Sequence, residues 1–169
     1  MQGKSKERSP LPDRNKQLRV IVAGGGTGGH LYPAVSIAEK LRKKGALVRY
    51  IGSRFGLESR KQDILGENPL LLPITGIQRD FSASAIAKNL LFPFRFIWSW
   101  LISRSYIRKF KPQVVIGTGG YSSGIPLLNA TRLGVKTLIQ EQNSYPGITT
   151  RSLAEKVDTV CIAFDEVKQ

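Results

Sequence analysis

Solid apolar runs alternate along this chain with longer stretches in which apolar positions recur every three or four residues. The runs, at 18–23, 47–51, 70–74, 114–116, 135–139 and 159–163, leave no face for water and predict strands covered on both sides. The periodic stretches at 32–43, 57–65, 85–110, 125–133 and 148–157 predict helices, with Pro33 in a first turn and Gly45 and Gly134 just past helix ends. Strand and helix in alternation imply an α/β fold, a doubly wound parallel sheet of the Rossmann-like kind, because right-handed crossovers put helices on both faces. Ligands of such sheets bind beyond the carboxyl ends of the strands.

Residues 1–16 stand outside this rhythm. Ser9-Pro10-Leu11-Pro12 lies there among mixed charges, which predicts a flexible basic tail before a single domain at 17–169. The tail lacks the apolar core of a signal peptide, and one cysteine, Cys161, suits a reducing compartment. The formal charge is +14, and from Phe81 through Gln140 no acid occurs among Lys88, Arg95, Arg104, Arg108, Lys109, Lys111, Arg132 and Lys136. A surface built from that stretch is positive and suits anionic partners. No nucleic-acid-binding module is recognisable, so nucleic acid is not an expected partner.

Two predicted strands break into glycine and then into a predicted helix: Val20-Ile21-Val22-Ala23-Gly24-Gly25-Gly26-Thr27-Gly28-Gly29-His30, and Val114-Val115-Ile116-Gly117-Thr118-Gly119-Gly120-Tyr121. Glycine lets backbone approach a ligand closely, and a helix N-terminus aims unpaired N–H groups at it, so the pair predicts two anion sites with phosphate as the natural guest. The first turn fits G-x-G-x-x-G, but Tyr50-Ile51-Gly52-Ser53-Arg54 offers no acid for a dinucleotide ribose; Arg54 keeps an NADP-dependent oxidoreductase open. No Gly-Lys-Ser/Thr follows, which excludes a P-loop. His30, the only histidine, sits where the helix dipole disfavours imidazolium, a suitable place for a general base. Gln140-Glu141-Gln142-Asn143 closes the fifth strand at the same edge, with polar groups fit to cap a helix or hold a sugar or phosphate.

Residues 81–111 mix aromatic and basic side chains, and Pro93 rules out one continuous helix. Lys88, Arg95 and Arg104 break the apolar stretches below the length of a bilayer span. The mixture predicts contact with an anionic membrane surface through Leu90, Leu91, Phe94, Phe96, Trp98 and Trp100, with Lys88 and Arg95 on the head groups. The rival expectation is that Leu90, Phe94, Ile97 and Leu101 are core.

The run from Gly24 to Ala34, with Gly117-Thr118-Gly119-Gly120-Tyr121-Ser122-Ser123-Gly124 and Glu141-Gln142-Asn143, closely resembles the amino-terminal half of the MurG family. Gly56-Leu57-Glu58 and Lys111-Pro112 also match its pattern. These bacterial glycosyltransferases of peptidoglycan synthesis add N-acetylglucosamine to lipid I to make lipid II. The resemblance implies a GT-B enzyme of two Rossmann-like domains, peripheral at the cytoplasmic face of the inner membrane. This half would dock lipid I, and a carboxy-terminal half would hold most of UDP-N-acetylglucosamine. Gly25, Gly26, Thr118, Gly119 and Gly120 would face the diphosphates of the substrates; Thr27, Gly28, Gly29 and Asn143 would contact the donor. His30 would take the proton from the C4 hydroxyl of the muramoyl sugar, with Tyr121, Glu141 and Asn143 lining the acceptor cleft. The resemblance implies no metal or cofactor, and no Asp-x-Asp triplet occurs. Gln140 stands where the family usually has histidine. The chain stops near Gln169, where the linker to the donor domain would begin, so it is expected to lack that domain and to be inactive alone. The alternative in another class is a membrane-anchoring, non-catalytic subunit of a split glycosyltransferase.

Overall fold

The computed structural model describes residues 17–76 and 89–165; the predicted tail at 1–16 and Lys88 lie outside them. Six strands, β1 (Arg19–Ala23), β2 (Leu47–Ser53), β3 (Leu70–Leu72), β4 (Val114–Gly117), β5 (Lys136–Glu141) and β6 (Thr159–Ile162), form one sheet in the order β3-β2-β1-β4-β5-β6. Every neighbouring pair is parallel. The helices are α1 (Gly28–Lys43), α2 (Phe92–Phe110), α3 (Tyr121–Arg132) and α4 (Ile148–Leu153). Strand order reverses between β1 and β4, the switch point where open sheets of this kind hold ligands, and both glycine turns leave from those two strands.

Alternation along β1 divides the core. Val20 and Val22 face Leu31, Ala34, Val35 and Ala38 of α1; Ile21 and Ala23 face a second cluster with Ile107 and Phe110 of α2, Ile125 and Leu127 of α3, and Leu153 of α4. Helices thus cover both faces, as a doubly wound sheet requires.

Several elements differ from the expected ones; α3 begins at Tyr121 rather than at 125, and α4 ends at Leu153 rather than at 157. The helix expected at 57–65 is two 3₁₀ turns, Leu57–Arg60 and Gln62–Ile64, because the Glu58 carboxylate is drawn beneath the sheet edge and holds the backbone there. β3 stops at Leu72, since Pro73 has no N–H for the ladder. α1 begins at Gly28 rather than at residue 32, so Pro33 falls beyond the first turn. α2 begins at Phe92, with Pro93 in its first turn where a missing N–H is harmless, and ends where Lys111 turns left-handed before Pro112.

Candidate functional site

The two glycine turns interlock. Thr118 N–H donates to the Ala23 carbonyl at 3.0 Å, and Thr118 Oγ1 donates to the His30 carbonyl at 2.7 Å. Gly119 and Gly120 have φ of +89° and +73°, so L side chains are strained at both. A Cβ on Gly120 would also overlap the Gly25 carbonyl oxygen, and one on Gly119 would lie 2.8 Å from the His30 ring. Much of the glycine in each turn therefore makes room for the other turn.

Beneath the first turn lies a carboxylate. Glu58 is buried and accepts the Gly26 N–H at 2.8 Å and the Ser53 N–H at 2.7 Å, in space kept open by Gly25, Gly52 and Gly56. The Gly26 N–H, expected with Gly25 to face a diphosphate, is thus already taken by a protein acceptor. Among the described residues, the N–H groups of Thr27, Gly28 and Gly29 remain without protein acceptors, as do those of Gly119 and Gly120. Tyr50 donates to the Gly24 carbonyl at 2.7 Å, and burial, with Glu58 second, raises its phenol far above the ordinary range. Burial also raises the Tyr121 phenol, with Glu58 adding to the rise and a hydrogen bond with Ser53 opposing it.

His30 sits at the seam. Its Nδ1 lies 2.9 Å from the Thr118 carbonyl oxygen. A carbonyl cannot donate, so this approach is attractive only when Nδ1 carries the hydrogen, which leaves the lone pair on Nε2. The side-chain amide of Gln142 also reaches Nδ1, at 2.8 Å. The ring lies on the wall of a cavity of about 930 Å³, with Gly120 and Tyr121 beside it and an apolar lining from Phe92, Phe96, Ile125 and Leu128. Tyr145 and Arg151 stand on the same cavity, and the guanidinium lies 5.3 Å from the Tyr145 ring centroid.

Glu141, expected to line the acceptor cleft, is buried behind it. Its carboxylate accepts from Thr150 Oγ1 at 2.6 Å, Asn143 Nδ2 at 2.9 Å, Asn143 N–H at 3.0 Å and Gly147 N–H at 3.1 Å. Burial pushes its pKa up, but those donors together outweigh it and hold the group below its ordinary value. Its work is to fold the loop after β5 and fix the exposed Asn143. Gln140 Oε1 is buried without a donor among the described residues.

On α2, Phe94 and Trp98 are 71% and 60% exposed, with Ile97 and Leu101 exposed beside them, and just before the helix Leu90 is 74% exposed and Leu91 is exposed too. This reverses the expectation that Leu90, Phe94, Ile97 and Leu101 are core. Phe96 and Trp100 instead turn inward: Phe96 stacks with Trp100 at 6.2 Å, both pack on the core, and the Arg132 guanidinium covers Trp100 at 4.8 Å. Helical periodicity puts residues 96 and 100 on one face and 94 and 98 on another, so the expected contact set divides. Arg95 lies over the Phe55 ring at 4.9 Å. No helix among the described residues is long and apolar enough to cross a membrane.

The model of the glycosyltransferase family 28 N-terminal domain matches residues 20–162, which hold the sheet and both turns. The chain belongs to that family. As a family 28 domain it is 45% identical over 153 residues to the UDP-N-acetylglucosamine–N-acetylmuramyl-(pentapeptide) pyrophosphoryl-undecaprenol N-acetylglucosamine transferase of Christiangramia forsetii, covering 89% of this chain and 41% of that enzyme. The Flavobacterium psychrophilum enzyme of the same name is 40% identical over 156 residues, covering 91% and 41%. The chain thus spans about two fifths of the length of these relatives. The crystal structure of Acinetobacter baumannii MurG superposes with a TM-score of 0.76 at 30% identity, over 88% of this chain and 42% of that one. The Streptomyces glycosyltransferase SsfS6 shares the fold alone, with a TM-score of 0.53 at 19% identity over 83% of this chain and 45% of that one.

Family 28 membership sets aside the oxidoreductase that Arg54 kept open; Arg54 Nε donates to the Leu71 carbonyl at 3.1 Å. Three contributors to the site had no individual role assigned from the sequence. Glu58 had a signal, as the acid of the Gly56-Leu57-Glu58 match after β2. Gln142 had one as part of the polar quartet that closes β5, and Thr149, whose Oγ1 donates to the Gly120 carbonyl at 3.0 Å, had none.

Proposed function

We propose that this family 28 domain is the acceptor-binding half of an inverting transferase that moves N-acetylglucosamine from its UDP carrier to the C4 hydroxyl of the muramoyl sugar of lipid I. The observation that carries this is His30: its Nδ1 is engaged by the Thr118 carbonyl, which leaves Nε2 as the basic atom, and the residue lines a large, mostly apolar cavity beside the second glycine turn. The names of the relatives at 40–45% identity supply the substrate class. As the C4 oxygen attacks the anomeric carbon, its proton passes to Nε2, the bond from that carbon to the UDP oxygen breaks, and configuration inverts. The open N–H groups of Gly119 and Gly120, at the start of α3, suit the acceptor diphosphate. Thr27, Gly28, Gly29 and Asn143 face the donor, most of which a second domain holds.

The exposed face of α2, with Phe94 and Trp98, together with Leu90 and Leu91 just before it, rests on anionic lipid at the cytoplasmic surface of the inner membrane and keeps the prenyl-linked substrate within reach. The test is transfer by the enzyme that carries this domain, unaltered and with His30→Ala. The variant should lose about 10²- to 10⁴-fold in kcat while UDP-N-acetylglucosamine still binds. Unaltered turnover in that variant would remove the base assignment.

A further inference from the structure

The geometry points to Gln142 as a positioning residue that fixes the His30 tautomer by accepting the Nδ1 proton through its side-chain oxygen. This rests on His30 as the base. Three groups meet at Nδ1: the ring nitrogen, the Thr118 carbonyl oxygen at 2.9 Å and the Gln142 carboxamide at 2.8 Å, whose Nε2 end faces the ring. The carbonyl can only accept, so it requires a proton on Nδ1. A protonated Nδ1 cannot also take a hydrogen from an amide nitrogen, and the two demands conflict.

Of the three groups, only the carboxamide can exchange roles, because half a turn about its last bond swaps oxygen for nitrogen at almost no steric cost. With Nε2 toward the ring, Oε1 is buried with no donor among the described residues. The Nδ1 proton is then shared between the Thr118 and Gln142 oxygens, and Nε2 is held as the basic atom. The ring is gripped by backbone after β4 and side chain after β5, the two strands beyond the switch point. The other titratable or charged groups on its cavity are Tyr121, Tyr145 and Arg151; Glu58 and Glu141 are spent on hydrogen bonds behind the loops.

His30 is the only histidine, so a chain labelled with nitrogen-15 histidine gives one pair of ring signals, and the tautomer is read without assignment. In the unaltered chain the proton should sit on Nδ1. Gln142→Leu should lower the ratio of the Nδ1–H to the Nε2–H form about fivefold, the weight of one ordinary hydrogen bond. Gln142→Glu, which keeps size and an oxygen acceptor, should hold the proton on Nδ1 and move the ring titration about one to three pH units higher, as a carboxylate beside an imidazole does. The acid limb of the transfer reaction should move with it, whereas a merely structural residue would change amplitude and leave the limb in place. A proton on Nε2 in the unaltered chain, or a tautomer ratio and titration indifferent to both substitutions in a folded chain, would overturn the assignment. Full transfer by His30→Ala beside an Nδ1–H signal that depends on Gln142 would end the base role and leave this contact standing.

Discussion

The two glycine turns look alike in sequence and differ in what fills them. The first already holds an anion, the Glu58 carboxylate bonded to the Gly26 N–H. The second leaves the Gly119 and Gly120 N–H groups without protein acceptors among the described residues, with Gly120 on the cavity wall, and the carboxylate nearest it in the chain, Glu141, is turned away to organise the loop that carries Asn143. A glycine motif thus marks where backbone comes close without saying to what. Here the close neighbours are Glu58, Thr118 and the His30 ring, all of them protein.

The largest expected effect tests the interlock. Gly120 and Gly134 share a left-handed φ, +73° and +69°, but a Cβ meets the Gly25 carbonyl at the first and nothing within 4 Å at the second. Gly134→Ala should cost about 1–2 kcal/mol from backbone strain alone, and Gly120→Ala about 4 kcal/mol or more, measured by urea unfolding. Equal costs would mean the turns are not locked together.

Glu58 comes next. Glu58→Ala leaves the buried Ser53 N–H and the half-buried Gly26 N–H without acceptors and should lose about 3 kcal/mol, while Glu58→Gln keeps one acceptor oxygen and should lose roughly half as much. A neutral effect of Glu58→Ala would return the first turn to the phosphate role.

The acid on the second side shows itself in pH. Glu141 is held below its ordinary 4.5 in the fold, so its contribution is present above about that pH and is lost as pH falls through the lower folded value. Asp158, held down to about 2 by Lys136 first and then by the Thr137 N–H and hydroxyl, adds a loss with the same sign. Acid unfolding of Glu141→Gln should have a shallower slope between pH 4.5 and 2 than the unaltered chain.

The smallest effect on stability lies on the exposed face of α2. Phe94→Ser with Trp98→Ser should change unfolding by less than about 0.5 kcal/mol, since both side chains are exposed, yet abolish sedimentation with anionic vesicles. Phe96→Ser, inward on the same helix, should cost about 2 kcal/mol and leave vesicle binding in place.

Periodicity was enough to read the parallel sheet and its wrapping, because strands buried on both faces and helices with one apolar stripe are written in the hydrophobic pattern itself. It misplaced the segment after β2, where one buried carboxylate holds two 3₁₀ turns against a helix-like pattern. It also divided the 92–110 face wrongly, because every candidate residue there is large and apolar and only packing against α3 chooses among them. The glycines and His30 were legible as a site. Glu58 as the occupant of one turn, and Gln142 as a partner of the ring, required the chain to be folded, since their contacts span 32 and 112 residues.

Whether the acceptor sits beside His30 is read by adding lipid I, in detergent micelles, to the nitrogen-15 histidine-labelled chain. If the cavity beside the second turn holds the acceptor at His30, the single pair of ring signals moves saturably with lipid I, and Gly120→Ala weakens that response. Lipid I that binds without moving the His30 signals, or that does not bind at all, would contradict it.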